Sequence, residues 1–357
     1  MTLLHADNFS LYGDNEAFLL NGIYAQNVES TLENDPDGVS GGKVLLLPPA
    51  FGGGGAYGLL RFALPATTLT CGQGCRMWLA SLPSTADMAP CPISFKNGSN
   101  NFLFNVVITS TGRIEVRQGG FYGTVIGSTT NPVVSANGWY HIEAKLVVDA
   151  ANGSIEVRVE GATVISQTGI NTGSTAVAQV EICNDPTGTS AGVSMYVKDY
   201  TIWNGSGSLN NNFLGTVIVS TLTPTADAAL NWTPSTGTTG YTILDNIPPV
   251  DAQYIAAGDP APSPYVCEMS NLSPDVTSVK AIVTYVRASK SDGGDGNLQV
   301  GIISDPTGTP ATALGADRAI TAAQTYWCDV FETDPKTSAA WLPSAVNLAH
   351  LQLDRTV

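Results

Sequence analysis

Charged residues are scarce in this chain, and the few that occur do not form a basic run. Only 13% of the 357 residues are Asp, Glu, Lys or Arg, and the net charge is −15. An acidic surface repels nucleic-acid phosphates and anionic lipid. Since no RNA-binding aromatic motif offsets that charge, the sequence predicts a protein that does not bind nucleic acid.

Long apolar runs are also missing. No window approaches the roughly 18 consecutive apolar residues of a membrane-spanning helix, so we expect no insertion into a membrane. The first nine residues lack the basic segment and apolar core of a Sec signal peptide. We therefore expect synthesis in a cytoplasm, without processing of the N-terminus.

Few side chains are suited to binding a metal. The three histidines show no paired spacing, and the six cysteines are dispersed except for Cys71 and Cys75, which are separated by three residues. That C-x3-C spacing allows half of a zinc site or a local disulfide. Buried free thiols are the alternative that we favour for a reducing cytoplasm. We predict no metal and no cofactor.

The residues that are abundant indicate an all-β protein. Glycine and proline are frequent, with 37 and 21 copies, and long helix-forming runs are absent. Short alternating segments separated by turn residues are typical of sandwiches. The chain length allows two domains with separate cores. The sequence therefore predicts two β-sandwich (jelly-roll-like) domains in tandem.

The clearest strand pair lies between residues 139 and 161. Tyr140 to Val148 alternates apolar and polar residues, and Ile155 to Val159 does the same. The period of two predicts one buried and one solvent-facing side. We place His141, Glu143 and Lys145 on the solvent-facing side. Asn152-Gly153 predicts a two-residue turn with positive φ angles.

A change of composition divides the chain. Residues 1–207 form the first predicted β-sandwich domain, and residues 208–357 form the second. Gly205 to Asn212 is small, polar and turn-rich, as in a linker. We expect Thr216 to Leu222 to be the first strand of the second domain. The prolines from 224 to 264 argue against central strands there.

Further strands are predicted in both halves. Asp7 to Gly13 and Gly22 to Ala25 are the predicted opening strands. In the second domain, Ser278 to Arg287 and Asn297 to Ser304 read as a hairpin around a glycine-rich loop. Trp341 to Asn347 is compatible with one helical turn.

One short string occurs twice. Asp185-Pro-Thr-Gly-Thr189 returns as Asp305-Pro-Thr-Gly-Thr309, each time after an apolar strand. A domain duplication is one interpretation. Because the flanking residues do not align well, we favour the other, in which one good turn sequence is used twice.

Carboxylates suited to glycoside hydrolysis do not stand out. The candidates Glu115, Glu143, Glu156 and Glu160 all fall at positions predicted to face solvent, and no Glu-x-Asp-x-x-Glu run is present. Gly38-Val-Ser-Gly-Gly42 matches Gly-x-Ser-x-Gly but lacks the strand-to-helix context of a nucleophile elbow. We predict no catalytic residues and no enzymatic activity.

Two other kinds of site remain open. Asp149, Asp199, Asp292 and Asp295 carry oxygen ligands for calcium, although plain turns are the simpler interpretation. Among the tryptophans, which can stack on sugars, we expect Trp78, Trp203 and Trp327 to pack in cores, and the side of Trp139 is undetermined. Trp232, in an irregular stretch, is the best surface candidate.

Several strings together resemble a known family. Gly138-Trp-Tyr-His-Ile-Glu143 and Tyr196-Val-Lys-Asp-Tyr-Thr-Ile-Trp-Asn-Gly205 resemble concanavalin A-like (laminin-G-like) jelly-roll domains. Asn212 to Pro224 looks like the junction of tailed-phage virion proteins, where Leu-Gly-Asp-x-x-Val opens a second β domain; Thr216 replaces the Asp. Phe331 to Trp341 looks like the end of that domain.

The resemblance implies a non-enzymatic structural protein of a bacteriophage virion, displayed on the head or the tail as a decoration or attachment component. Its partners would be other virion proteins and copies of itself, and it implies no cofactor or catalytic residue. Fold analogy also suggests a carbohydrate-binding module for host surface polysaccharide, as in a tail-fibre or tail-tip adhesin. A depolymerase acting on that polysaccharide is the third hypothesis.

Overall fold

A computed structural model describes residues 2–12, 22–38, 42–49, 58–84, 90–184, 193–258, 263–291 and 293–356. Of these residues, 49% lie in strands and 3% in helices, and the predicted all-β class with β-sandwich domains is confirmed. The chain divides into two compact units. The first comprises Met1–Phe9 and Asp14–Val219, and the second comprises Ser10–Gly13 and Ser220–Val357.

The first unit is built from antiparallel strands. In chain order they are β1 (Leu3–Asp7), β2 (Gln26–Val28), β3 (Thr31–Asn34), β4 (Lys43–Leu47), β5 (Leu59–Thr68), β6 (Thr70–Leu79), β7 (Pro90–Lys96), β8 (Phe102–Ile108), β9 (Ile114–Gln118), β10 (Thr124–Ser128), β11 (Trp139–Val147), β12 (Gly153–Val159), β13 (Ala162–Ile170), β14 (Val177–Asn184) and β15 (Met195–Asn204).

Two sheets form the sandwich of the first unit. Among the described residues, sheet A has the order β13-β12-β11-β6-β15-β4-β3 with β1 beside β15, and sheet B has the order β10-β9-β8-β7-β14-β5-β2. Met77 and Ile142 on sheet A, and Phe95 and Val180 on sheet B, are fully buried on the facing sides. The apolar sides of both sheets therefore meet in one core.

The predicted hairpin is present, but its turn differs. β11 and β12 pair from Ile142 opposite Val159 to Val147 opposite Ser154. The Asp149 side chain accepts hydrogen bonds from the amides of Ala151 and Asn152, at 2.8 and 2.7 Å. Neither Asn152 nor Gly153 has a positive φ. The prediction of a two-residue Asn-Gly turn was wrong because the Asp149 side chain supports a longer turn.

The junction also differs from the prediction. Thr216 to Leu222 forms no strand, and the first unit extends to Val219. The prediction of separate domains at 1–207 and 208–357 stays a prediction. The opening strands were misplaced as well, since β1 ends at Asp7 and β2 begins only at Gln26.

The second unit holds shorter strands and two single helical turns. They are β16 (Pro224–Ala229), β17 (Thr233–Pro234), α1 (Tyr241–Leu244), β18 (Ile255–Ala256), β19 (Tyr265–Met269), β20 (Ile282–Ala288), β21 (Asn297–Ser304), β22 (Ala311–Leu314), β23 (Arg318–Ala319), β24 (Thr325–Phe331), α2 (Pro343–Val346) and β25 (His350–Arg355).

A six-stranded sheet and two ribbons make up this unit. The sheet has the order β16-β19-β25-β21-β22 with β23 beside β21, and β20 pairs with β24 in a separate ribbon. The predicted hairpin between β20 and β21 was therefore wrong. The proline-bearing β16 lies at the sheet edge, where a missing N–H is tolerated. The predicted helical turn corresponds to α2.

The ribbon packs on the sheet through buried side chains. One cluster consists of Trp232, Tyr265, Cys267, Leu298, Val300, Trp327 and Leu353. The Asp305–Thr309 string is a turn, in which the Gly308 amide donates to the Asp305 carbonyl. Its first copy, Asp292 and residues 39–41 of the Gly-x-Ser-x-Gly string lie outside the described residues. The run of four glycines at 52–55, which the sequence predicts to be a loop, also lies outside them.

Candidate functional site

Glu143 is buried, although the alternation of β11 predicted a solvent-facing side chain. It is 0% exposed. Its Oε1 atom accepts a hydrogen bond from the Leu214 amide at 2.9 Å, and Oε2 accepts one from the Gly215 amide at 3.1 Å. The prediction failed because residues 212–219, here called the junction segment, cross the outer face of sheet A and cover it.

Further contacts hold the junction segment on this face. The Phe213 ring lies 3.8 Å from the Arg158 guanidinium and 6.3 Å from the Trp203 ring. The Val219 amide donates to Asp199 Oδ1 at 2.8 Å, and Lys145 Nζ donates to Asn212 Oδ1 at 2.8 Å. Residues predicted as a linker and a strand thus pack against the first unit.

Two glycines of β6 make room for these side chains. A Cβ atom on Gly72 would lie 2.0 Å from the Trp203 ring, and one on Gly74 would lie 2.9 Å from Glu143 Cγ. Both glycines belong to the Cys71-Gly-Gln-Gly-Cys75 string. Its cysteines are buried free thiols, as predicted. The two glycines of the string therefore leave space for Trp203 and Glu143 on one face of sheet A, and its two cysteines are buried on the other face.

Burial raises the pKa of both thiols, Cys71 and Cys75, which disfavours the thiolate that metals and electrophiles require. In the part of the chain that the structure describes, no group of three or more His, Cys, Asp or Glu side chains could hold a metal ion. Within the same residues, no helix is long and apolar enough to cross a membrane.

The other candidate glutamates each have a structural partner. Glu115 accepts from Arg117 at 2.7 Å, and Glu156 accepts from Arg158 at 2.8 Å. Glu160, which is exposed, accepts from the His141 amide at 2.7 Å. Glu115 and Glu156 are half-buried rather than fully solvent-facing.

Two of the candidate calcium ligands, Asp199 and Asp149, accept hydrogen bonds from backbone amides. Asp199 is buried, and burial raises its pKa while the hydrogen bond from Val219 opposes that rise. Hydrogen bonds from the Asn152 and Ala151 amides lower the pKa of Asp149. Asp295 is exposed.

Sheet B carries a buried charged cluster that the sequence reading missed. Glu181 Oε2 accepts from Arg61 Nε at 2.8 Å and from Lys96 Nζ at 3.1 Å. Glu181 is 0% exposed and Lys96 is 2% exposed. Gln26 accepts from Arg61 at 2.5 Å. The available signal was the placement of single charges inside the apolar runs of β5, β7 and β14.

The tryptophans divide differently from the prediction. Trp203 and Trp327 are buried as expected, but Trp232 is also buried, at 8% exposure, in the core of the second unit. The prediction that Trp232 lies on the surface was therefore wrong. Trp78, predicted to lie in a core, is half-buried on the outer face of sheet A beside Trp139.

Trp78 and Trp139 form an aromatic pair on that face. Their rings lie 5.9 Å apart, edge to face, and Tyr196 stands opposite Trp78 on the neighbouring strand. Lys198 Nζ lies 4.1 Å from the Trp139 ring, and Trp139 Nε1 donates to Asp35 at 3.3 Å. This aromatic row, defined as Trp78, Trp139 and Tyr196, remains partly exposed.

His141 lies next to this row in a closed environment. Although predicted to face solvent, it is 0% exposed, and neither ring nitrogen has a hydrogen-bond partner. Burial, assisted by the positive charge of Arg76, lowers its pKa from 6.5 to about 4. The imidazole is therefore neutral at physiological pH.

Comparisons with known proteins give likenesses of fold. No family model and no curated protein matches the chain. A carbohydrate esterase from the Shiga toxin-encoding bacteriophage phi24B aligns at 13% identity with a TM-score of 0.40, over 57% of this chain and 98% of the esterase.

Two further solved structures are similar at the same level. The carbohydrate-binding module CBM66 of Bacillus subtilis aligns at 11% identity with a TM-score of 0.34, over 52% of this chain and 97% of the module. The binding domain of Paraclostridial Mosquitocidal Protein 1 aligns at 11% identity with a TM-score of 0.39, over 57% of this chain but only 48% of that domain. At such identities these likenesses carry no argument about function.

Proposed function

We propose that this chain is a non-enzymatic structural protein of a tailed-bacteriophage virion, displayed on the head or tail as a decoration or attachment component. The observation that carries the proposal is the bond between Glu143 and Leu214-Gly215. Glu143 ends the string that resembles concanavalin A-like domains, and Leu214-Gly215 begins the string that resembles the junction of tailed-phage virion proteins. Their contact supports the view that the two strings belong to one structural junction.

The partners of the candidate glutamates support the non-enzymatic part of the proposal. Glycoside hydrolysis needs a proton donor and a second carboxylate facing one another across a cleft. In this chain Glu143 binds backbone amides, and Glu115 and Glu156 bind arginines. Glu143 therefore holds the junction segment, and Glu115 and Glu156 each pair with an arginine of their own strand.

Other virion proteins and copies of this chain are the proposed partners. Edge strands and exposed apolar side chains are the usual sites of such association. β10 lies at the end of sheet B and exposes Val125 by 49%, and Tyr122 just before it is 60% exposed. This edge supports the proposal of a homo-oligomer.

The test is the copy number of the chain in purified virions, by quantitative mass spectrometry against the major capsid protein. Hundreds of copies are expected for decoration, and a few to a few tens for a tail component. Absence from the particle overturns the proposal. Release of reducing ends from host polysaccharide by the pure protein would contradict its non-enzymatic part.

A second candidate function is the binding of host surface polysaccharide, and the aromatic row favours it. Partly exposed indole and phenol rings offer flat apolar faces and polar edges to a sugar. We expect host polysaccharide to bind the full chain in isothermal titration, and Trp78→Ala with Trp139→Ala to weaken binding. Tyr122→Ala is the matched control. An equal loss in that control, or no binding to any host glycan, contradicts this candidate.

A further inference from the structure

The second unit has a groove that the functions above do not use. It opens where β19 ends, beside the turn at Pro306 and Thr307 and the residues that precede β25, and its volume is about 470 Å³. Small-molecule sites generally measure about 300–1,000 Å³. The volume of the groove lies within that range.

An acid–imidazole pair lies in the groove. Glu268 on β19 is the direct cross-strand partner of His350 on β25, so both side chains project from the same side of the sheet. Burial lowers the pKa of His350, against the opposing effect of the Glu268 charge. His350 is therefore neutral at pH 7 and offers one donor and one acceptor.

Other polar side chains that line the groove are available to bind a ligand. Within the described residues, the side chains of Thr225, Asn271 and Thr307 make no hydrogen bond to protein groups, and all three are exposed. Two hydroxyls and one amide can each donate and accept. Such groups suit a ligand that is rich in hydroxyls.

The charge of the groove restricts the ligand further. Its lining contains the Glu268 carboxylate but neither lysine nor arginine. The nearby Lys336 is paired with Asp305. A carboxylate without a compensating cation repels anionic ligands and accepts hydrogen bonds from neutral hydroxyls.

One apolar side chain stands at the rim of the groove. Leu348 is 58% exposed there, whereas the Met269 side chain points to the opposite side of β19 from Glu268 and packs against the core beside Cys267. A large exposed aliphatic side chain beside uncommitted polar groups matches the mixed character of a sugar, which has hydroxyl edges and C–H faces.

We propose that this groove binds a neutral saccharide, with Glu268 and His350 hydrogen-bonded to its hydroxyls and Leu348 packed against a ring face. This inference rests on the glycan-binding function proposed above. The sugar is uncharged rather than acidic, and its site lies in the second unit.

The test is isothermal titration of the full chain with neutral oligosaccharides from the host surface, and with a uronate-containing oligosaccharide of equal length. Glu268→Gln and Leu348→Ser are the groove variants. Both positions are exposed, so the variants should fold, which thermal unfolding checks. Asp245→Asn, an exposed carboxylate outside the lining, is the control.

We expect the neutral sugar to bind, each groove variant to weaken binding about tenfold, and the control to remain within about twofold. Unchanged binding in both groove variants overturns this site; if Trp78→Ala then abolishes binding, the glycan function stands without it. Preference for the uronate overturns the neutral class. No binding to any glycan overturns both the site and the glycan function. The virion proposal is tested separately, by the copy number of the chain in purified virions.

Discussion

The carboxylate of Glu143 and the amide of Gly215 are joined by a 3.1 Å hydrogen bond across 72 residues of sequence. The other carboxylate oxygen binds the amide of Leu214. One side chain on a central strand therefore fixes the path of the chain as it leaves the first unit.

Replacing Glu143 with alanine should release the junction segment. Two backbone amides would lose their acceptor, and we expect the free energy of unfolding to fall by about 3 kcal/mol. Denaturant unfolding measures the loss, and hydrogen exchange should accelerate at Leu214 and Gly215. Glu156→Ala, at a half-buried position on β12, should cost under about 1 kcal/mol. Unchanged exchange at both amides would contradict the role of Glu143.

Gly72→Ala should be strongly destabilising. The new Cβ atom would lie 2.0 Å from the Trp203 ring, so the indole must move, at about 3 kcal/mol or more. Gly98→Ala is the control, because its Cβ would approach only Ala178, at 3.8 Å. Thermal unfolding of both variants tests this, and equal melting temperatures would show that Trp203 does not rest on Gly72.

Removing Glu181 should be costly for an electrostatic reason. Glu181→Ala leaves Arg61 and Lys96 buried without their counter-charge, and we expect a loss of about 3–5 kcal/mol. Lys336→Ala breaks the partly exposed pair with Asp305 and should cost under about 1 kcal/mol. Urea unfolding distinguishes the two. A small effect at Glu181 would indicate that water reaches the cluster.

Stability should fall with acidification in a window set by His141. The pKa of this side chain is about 4 in the folded protein and 6.5 in its ordinary state, so the unfolded chain binds the proton first. Its contribution is constant above pH 6.5 and decreases by about 3 kcal/mol as the pH falls to 4.

His141→Phe provides the comparison, since the imidazole has no hydrogen bond to lose. The difference in unfolding free energy between wild type and variant, measured at several pH values, cancels the titration of His5 and of the carboxylates. We expect that difference to change between pH 6.5 and 4. A constant difference would mean that His141 is hydrated in the folded state.

The alternation of residues predicted the fold class and the β11–β12 pair correctly because the period of two reports which residues share a face. It did not predict what covers that face. Glu143 was placed in solvent because nothing in a strand pattern reveals a segment that returns 70 residues later. The pattern likewise gave no sign that His141 is buried. Trp232 was misjudged for a similar reason, since its irregular neighbours gave no sign of the core it enters.

The junction segment also has a consequence for how such chains recombine. The first unit reaches its complete outer face only with residues up to Val219. A crossover at residue 207 would join a foreign second unit to a first unit whose Glu143, Asp199 and Trp203 lack their covering. A joint beyond Val219 keeps this covering with the first unit, so we expect the junction segment to be inherited with the unit that precedes it.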